Sequence, residues 1–260
     1  MTSPPPRPCR LSAVVTAHNE EAQLAQCLET LRFADEIVVT LDRCTDGSKA
    51  IAERYAQKIV EGAWELEGPR RNSGIDAASG DWILEVDADE RVPPELAQEI
   101  RAAIETAAPG YFLLPFDNYI GDRLVRYGWG GSWGVMAAPR LFSKGAKRWG
   151  EQRVHPGLRL DGRQRFLEHA MRHRVDNNIS DMLARLDRYT ELRAADLREG
   201  KGRLSPFLFL LRRSASRFLK CYVFRKGYRE GRWGFLIALM AALYPLIAQL
   251  KAELERPDKG

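Results

Sequence analysis

Residues 82–90 read WILEVDADE. Trp82–Val86 is a short apolar, β-rich run, and Ser79-Gly80 just before it is a turn signal. The run passes directly into Asp87-Ala88-Asp89. A divalent cation takes hard oxygen ligands and keeps water or substrate phosphates in its shell. Two acids one residue apart at a strand end can therefore grip a metal that also holds a diphosphate. Taken alone, such a pair also fits a solvated turn, so its surroundings decide its meaning.

Upstream, strands and helices alternate. Leu11–Thr16 (LSAVVT) is a strand. In HNEEAQLAQCLETL, Leu24, Cys27, Leu28 and Leu31 fall at helical spacing, with Asn19 as a plausible N-cap. Glu36–Leu41 (EIVVTL) is a second strand, followed by the turn DRCTDGS and a helix carrying Ile51, Ala52 and Tyr55. Lys58–Val60 is a short third strand. Arg70–Ala78 reads as a short helix whose N-terminus, opened by Arg70, Arg71 and Asn72, favours phosphate. Pro93-Pro94 starts a further helix to about Ala107. This alternation predicts an α/β fold, a mainly parallel sheet with helices on both faces. In such sheets ligands bind beyond the carboxyl ends of the strands. Those ends carry His18, Asn19 and Glu20, then Asp42, then Asp87 and Asp89. Three strands deliver polar or acidic groups to one edge.

Downstream the pattern loosens. Tyr111–Pro115 is a candidate strand, and YGWGGSW (127–133) is a loop. Trp129, Trp133 and Trp149 either stack on a sugar or base, or cover the sheet. Asn178–Leu197 is an amphipathic helix with Ile179, Leu183, Leu186 and Tyr189 on one face. Residues 201–232 hold ten Lys/Arg and one acid. Phe235–Ala248 is an apolar run of fourteen residues, short of the roughly 20 that a spanning helix needs. It suits a helix in the membrane interface, or a buried or oligomer-forming helix.

Composition sets the frame. The 260 residues are 45% hydrophobic and 29% charged, which excludes bulk disorder. Residues 1–110 carry 11 Lys/Arg against 20 Asp/Glu, whereas 111–260 carry 29 against 15. An acidic half can hold a cation; a basic half suits phosphates, anionic lipid or nucleic acid. The four cysteines form no CxxC pair, and the proline-rich start lacks an apolar run, so a reduced, cytoplasmic protein is expected. The expected domains are a flexible leader (1–10), a catalytic domain (11–175) with a donor half (11–110) and an acceptor half (111–175), and a helical, basic and apolar extension (176–260).

Read together, VVTAHNEE, DRCTDGS, RRNSGIDAASGDWILEVDADE and PRLF (139–142) resemble an inverting family 2 glycosyltransferase of the GT-A fold. RVH (153–155), His173 and LDRYTELRAADLREGKG resemble a narrower branch, the lipopolysaccharide-core glucosyltransferases of the WaaE type. The resemblance implies metal-dependent transfer of a hexose from a nucleoside diphosphate sugar, a UDP-sugar above all, to a glycan acceptor. It implies donor contacts from Ala17, Asn19, Glu20, Asp42, Arg71 and Asp87. It implies that Asp89, helped by Asp87, binds Mn2+ or Mg2+. Inversion needs a base for the acceptor hydroxyl. In that branch a carboxylate commonly follows the histidine of the VH pair, but here Pro156 stands there. Glu151 is the first substitute, with Asp122 and Asp161 as alternatives, and His155 orients the diphosphate, binds metal or transfers a proton.

The expected acceptor is a lipopolysaccharide core intermediate, with a polyprenyl phosphate or a peptide as alternatives. The basic, apolar tail places the protein at the inner face of the cytoplasmic membrane, or in a homo-oligomer through its C-terminal helices. A nucleotidyltransferase would show a Gly-rich basic phosphate loop where TAHNEE stands. A non-catalytic basic membrane module would rest on charge alone, and no nucleic-acid fold signature is present.

Overall fold

The computed structural model describes residues 8–130, 135–152 and 156–255. Most of the expected leader, Trp133 and the RVH stretch with His155 lie outside the described residues. The chain forms two compact units: residues up to Phe116 together with Ala137–His173, and Asp117–Met136 together with the chain from Arg174 onward.

The elements follow in order. β1 (Leu11–Ala17), α1 (Leu24–Glu29), β2 (Glu36–Asp42), α2 (Ser48–Tyr55), β3 (Lys58–Gly62) and α3 (Glu67–Ala77) come first. Then come β4 (Trp82–Asp87), β5 (Glu90–Arg91), α4 (Pro94–Thr106), β6 (Gly110–Ile120), β7 (Arg123–Val125) and β8 (Ala137–Ser143). β9 (Lys147–Trp149), β10 (Leu158–Leu160), β11 (Arg163–Phe166) and β12 (Met171–Asp176) precede three helices, α5 (Ile179–Arg198), α6 (Phe207–Leu219) and α7 (Arg232–Leu254).

The main sheet runs β3-β2-β1-β4-β8-β6-β12-β5. β3, β2, β1 and β4 are mutually parallel, as expected of strands joined by helical crossovers. β8 then pairs antiparallel with both β4 and β6. β1 and β2 are buried almost throughout, which is why they read as unbroken apolar runs rather than alternating ones. Alternation still sorts their side chains. Leu11, Ala13, Val15 and Ala17 join the larger core, with Leu24, Leu28, Leu96 and Ile100 of α1 and α4. Val14, Val38 and Ile83 join a smaller core with Ile75 of α3 and Phe142. Helices thus cover both faces, as the alternation predicts. α3 closes tightly on the sheet at Gly74, where a Cβ would lie 2.5 Å from Thr40 Oγ1 and 2.7 Å from Val14 Cγ1.

Two local expectations change. Asn19 does not cap α1. Its backbone is left-handed (φ 55°), and its Oδ1 accepts from Thr45 N at 2.8 Å, tying the β1 and β2 exits together. α3 begins at Glu67, so Arg70 and Arg71 sit one turn inside it rather than at its N-terminus. Pro69 falls in the first turn, where a missing N–H costs nothing, and this disguises the start as a loop.

In the second unit α7 packs between α5 and α6, and Ile237, Ala238, Met240 and Ala241 share a core with Met182, Leu186 and Trp129. A helix buried on several sides is apolar all round. It is longer than the apolar run alone predicts: 23 residues, long and apolar enough to cross a membrane by length and composition, yet 56% of its most apolar window is buried within the protein. Gln249–Leu254 are good helix formers that extend it past Ala248. The buried stripe of α5 is Met182, Leu186, Thr190 and Ala194; Ile179 and Leu183 face outward, so the expected face meets the core only through Leu186 and the partly buried Tyr189.

One buried carboxylate clips the strand starts in the first unit. Glu36 accepts from Ser12 Oγ (2.5 Å), Ser79 N (2.7 Å), Ser79 Oγ (3.0 Å) and Lys58 Nζ (2.9 Å). Burial alone would push its pKa up, but these donors outweigh burial and hold it down to about 2 from an ordinary 4.5. Its folded pKa is below its unfolded one, so its stabilisation is complete above about pH 4.5 and lost as pH falls towards 2. Glu36→Gln is expected to destabilise the protein at neutral pH by on the order of 3 kcal/mol. The gap from the parent protein, read from urea midpoints, should close as pH falls through that window.

Candidate active site

The site begins with the parity of β4. Leu84 and Val86 point into the larger core, and Ile83 into the smaller one. Glu85 and Asp87 share the face of Ile83, so two acids follow an apolar residue on the α3 side of the sheet. Carboxylates placed there require cations. Arg71 Nη1 reaches Glu85 at 2.9 Å and Asp87 at 2.7 Å, while its Nε holds Glu67 at 2.8 Å. Arg140 of β8 donates to Asp87 Oδ2 and to Glu90 Oε1, both at 2.5 Å. Lys147 of β9 donates to Glu85 Oε2 at 2.5 Å, and both side chains are 1% exposed. Trp149 Nε1 adds a bond to Glu85 at 3.0 Å.

The electrostatics follow from this geometry. Burial would raise the pKa of Asp87, but Arg140 and Arg71 overcome it and hold the carboxyl far below its usual range. Burial would likewise raise Glu85, and Lys147, Arg71 and Arg140 pull it down. Glu90 goes the other way: burial, with Asp87 and Asp89 beside it, outweighs Arg140 and leaves its pKa raised. Burial lowers Lys147 despite the attraction of Glu85.

Next to this ladder lies a second group. Asp89, Glu90 and His173 each offer a ligand atom, all within 4.8 Å of one another. His173 Nε2 stands 3.5 Å from Asp89 Oδ2. Burial would lower the His173 pKa, but the bond to Asp89 and the charges of Glu90 and Asp87 leave it raised. Asp89 Oδ1 is buried without a hydrogen-bond partner. An orphaned buried carboxylate oxygen beside an imidazole and a second carboxylate fits a divalent cation.

The other predicted residues fall into place around these. Ala17 ends β1, buried. Glu20 accepts from Gln23 and donates its N–H to Ser48 Oγ at 2.8 Å. Burial raises its pKa, and Asp89, Asp46 and Asp87 add to the shift. Asp42 ends β2, with its side chain 1% exposed, and accepts from Arg43, Trp64 N and Arg70. Arg70 and Arg71, adjacent on α3, splay to the ends of β2 and β4 and so straddle β1 between them.

Of the expected bases, Glu151 and Asp161 belong to the first unit. Glu151 is exposed beside Asn72 and Ser73 of α3. Asp161 is exposed and paired with Arg159. Asp122 belongs to the second unit, paired with Arg174. His155 lies outside the described residues. Of the tryptophans, Trp129 is 1% exposed and donates to Val125 O. Trp149 stacks on the Arg71 and Lys147 cations. Trp129 is therefore a core residue, and Trp149, part-buried, flanks the cations.

Sequence reasoning gave no role to Glu85, Glu90, Arg140, Lys147 or His173. Glu85 carried a usable signal, a charge inside an apolar strand two residues before Asp87. Its partners come from α3 and from β9, the latter far along the chain. Breaking such a pair leaves a buried charge alone. Lys147→Met should lower stability by about 3 kcal/mol, and the double variant Lys147→Met/Glu85→Gln should recover much of that. Urea unfolding of the two proteins checks this; an unchanged midpoint in the single variant would count against a structural ladder.

The sequence description of glycosyl transferase family 2 matches residues 12–155, more than half the chain. The chain is 25% identical to the lipopolysaccharide core biosynthesis glycosyltransferase LpsC of Rhizobium meliloti (strain 1021), across 93% of this chain and 91% of LpsC. It is 32% identical to an uncharacterized glycosyltransferase of Rickettsia felis over 92 residues, and spans about a third (32%) of that protein. Among solved structures, S. aureus TarS 1–349 in complex with UDP superposes with a TM-score of 0.52 at 14% identity, covering 96% of this chain and 93% of that one. That likeness speaks to the fold. The strand-end acids and the arginines that hold them all fall inside the matched residues, and the chain belongs to glycosyl transferase family 2 and is a glycosyltransferase.

Proposed function

We propose that this glycosyltransferase moves a hexose, with inversion, from a nucleoside diphosphate sugar to a glycan acceptor, with a divalent cation at the donor diphosphate. The observation that carries this reading is the pairing of Asp89 and His173 beside Glu90, with Asp89 Oδ1 buried and unpartnered. Asp89 and His173 would hold Mn2+ or Mg2+, with Glu90 as a third ligand. The cation supplies positive charge to the departing nucleotide. Asp87 is engaged by two guanidiniums, so in this reading it positions Arg71 and Arg140 and contributes less to the metal.

Ala17, Asn19, Glu20 and Asp42 line the β1 and β2 exits, where the nucleoside would lie. Asp42 would accept from the base or ribose once Arg43, half exposed at the surface, swings away. A UDP-sugar is the favoured donor, in keeping with the family resemblance. The acceptor reading, a lipopolysaccharide core intermediate, is supported by the likeness to LpsC over nearly the whole of both chains. Glu151 is retained as the base that takes the acceptor proton.

Two experiments test this. UDP release from a panel of UDP-sugars should depend on Mn2+ or Mg2+. Asp89→Ala and His173→Ala should each lose at least about a hundredfold in that release, and Mn2+ titration calorimetry should show weakened binding. Full turnover in Asp89→Ala would end the metal assignment. Glu151→Gln should keep donor binding while transfer falls about a hundredfold or more; an undiminished transfer rate removes Glu151 as the base.

A further inference from the structure

The second unit carries a surface that the donor chemistry does not use. Leu210 and Ser214, one turn apart on α6, form its buried seam, and Cys221 continues that line into the core shared with α7. A surface helix normally turns polar residues to the other side. Here the other side is apolar. Leu208 is 81% exposed, and Phe207, Phe209, Leu211 and Leu219 are exposed with it. The π-helical turn Lys220–Phe224 continues the patch with Val223 and with Phe224, which is 78% exposed. Cations interleave it: Arg203, Arg212, Arg213, Lys220 and Lys226 are all exposed. The only acid in 201–232, Glu230, accepts from the backbone N–H groups of Arg126 and Tyr127, so it does not answer these charges.

We infer that α6 and the turn after it dock on an anionic phospholipid bilayer, lying in the headgroup plane with Leu208, Leu219 and Phe224 inserted and the arginines and lysines against lipid phosphates. An in-plane helix needs an apolar face bordered by cations, and this patch has both. α6 spans about 20 Å at 1.5 Å per residue, too short to cross a bilayer. α7, long enough, has over half of its apolar window buried within the protein. A second copy of the chain is the poorer occupant. A two-fold interface sets a patch against itself, which would bring five cations against five. The inference stands apart from the donor reading, since none of these residues lies in the first unit.

Sedimentation of the full-length protein with vesicles tests it. The protein should pellet with vesicles containing phosphatidylglycerol and stay in solution with phosphatidylcholine alone, and added salt should release it. Leu208→Asp/Phe224→Asp and Arg212→Glu/Arg213→Glu should each weaken binding about tenfold or more. Their melting temperature and UDP release should be unchanged, because the replaced side chains face solvent outside the catalytic unit. Absent binding, equal binding to both vesicle types, or binding that survives both double variants overturns the inference. So does concentration-dependent self-association that Leu208→Asp/Phe224→Asp abolishes, since that assigns the patch to a second copy.

Discussion

Two carboxylates on the inner face of β4 set the terms for the catalytic unit. Glu85 and Asp87 stand where the sheet is covered by α3 and β9, and neither can stay ionised there unaided. Arg71, Arg140 and Lys147 answer them from three separate elements. Satisfying these charges therefore fixes α3, β8 and β9 against β4. The smaller core on that face is thin, so much of the cohesion there is ionic. The opposite face, with α1, α2 and α4, is held by a large apolar core and needs no such device.

The same constraint shapes the chemistry. Because Arg71 and Arg140 are spent on Asp87, the paired acids of the DAD motif are not equivalent. Asp87 sits between guanidiniums, whereas Asp89 faces Glu90 and His173. One acid organises cations and the other is left with an oxygen to give. Glu90, squeezed among acids, gains a raised pKa as the cost of that crowding. This edge holds a dense set of fixed charges of both signs.

The two units solve the burial problem differently. In the first, alternation along buried strands sorts side chains between two cores. In the second, α7 is enclosed by α5 and α6 and is apolar on most sides. α6 packs on α7 along its buried seam, yet it carries large apolar residues on its outer side as well. Packing among the described residues does not cover that outer face, and its flanking cations are what give it a direction.

Much was legible in the residues alone. Apolar runs ending in acids, helical spacing between them and the Pro93-Pro94 start determined the strand–helix alternation, because these are local signals of period and turn chemistry. They also determined that Asp42, Asp87 and Asp89 would gather at one sheet edge, since parallel strands present their carboxyl ends together. Tertiary structure alone decided which cation meets which acid. Arg140 and Lys147 lie fifty or more residues from their partners, and register places them there, not spacing. It also decided that Asn19 links two loops instead of capping a helix, that Trp129 is core, and that His173 faces Asp89. Local periodicity reports which side of an element is apolar; only the packed chain determines what that side, or a charge buried within it, is set against.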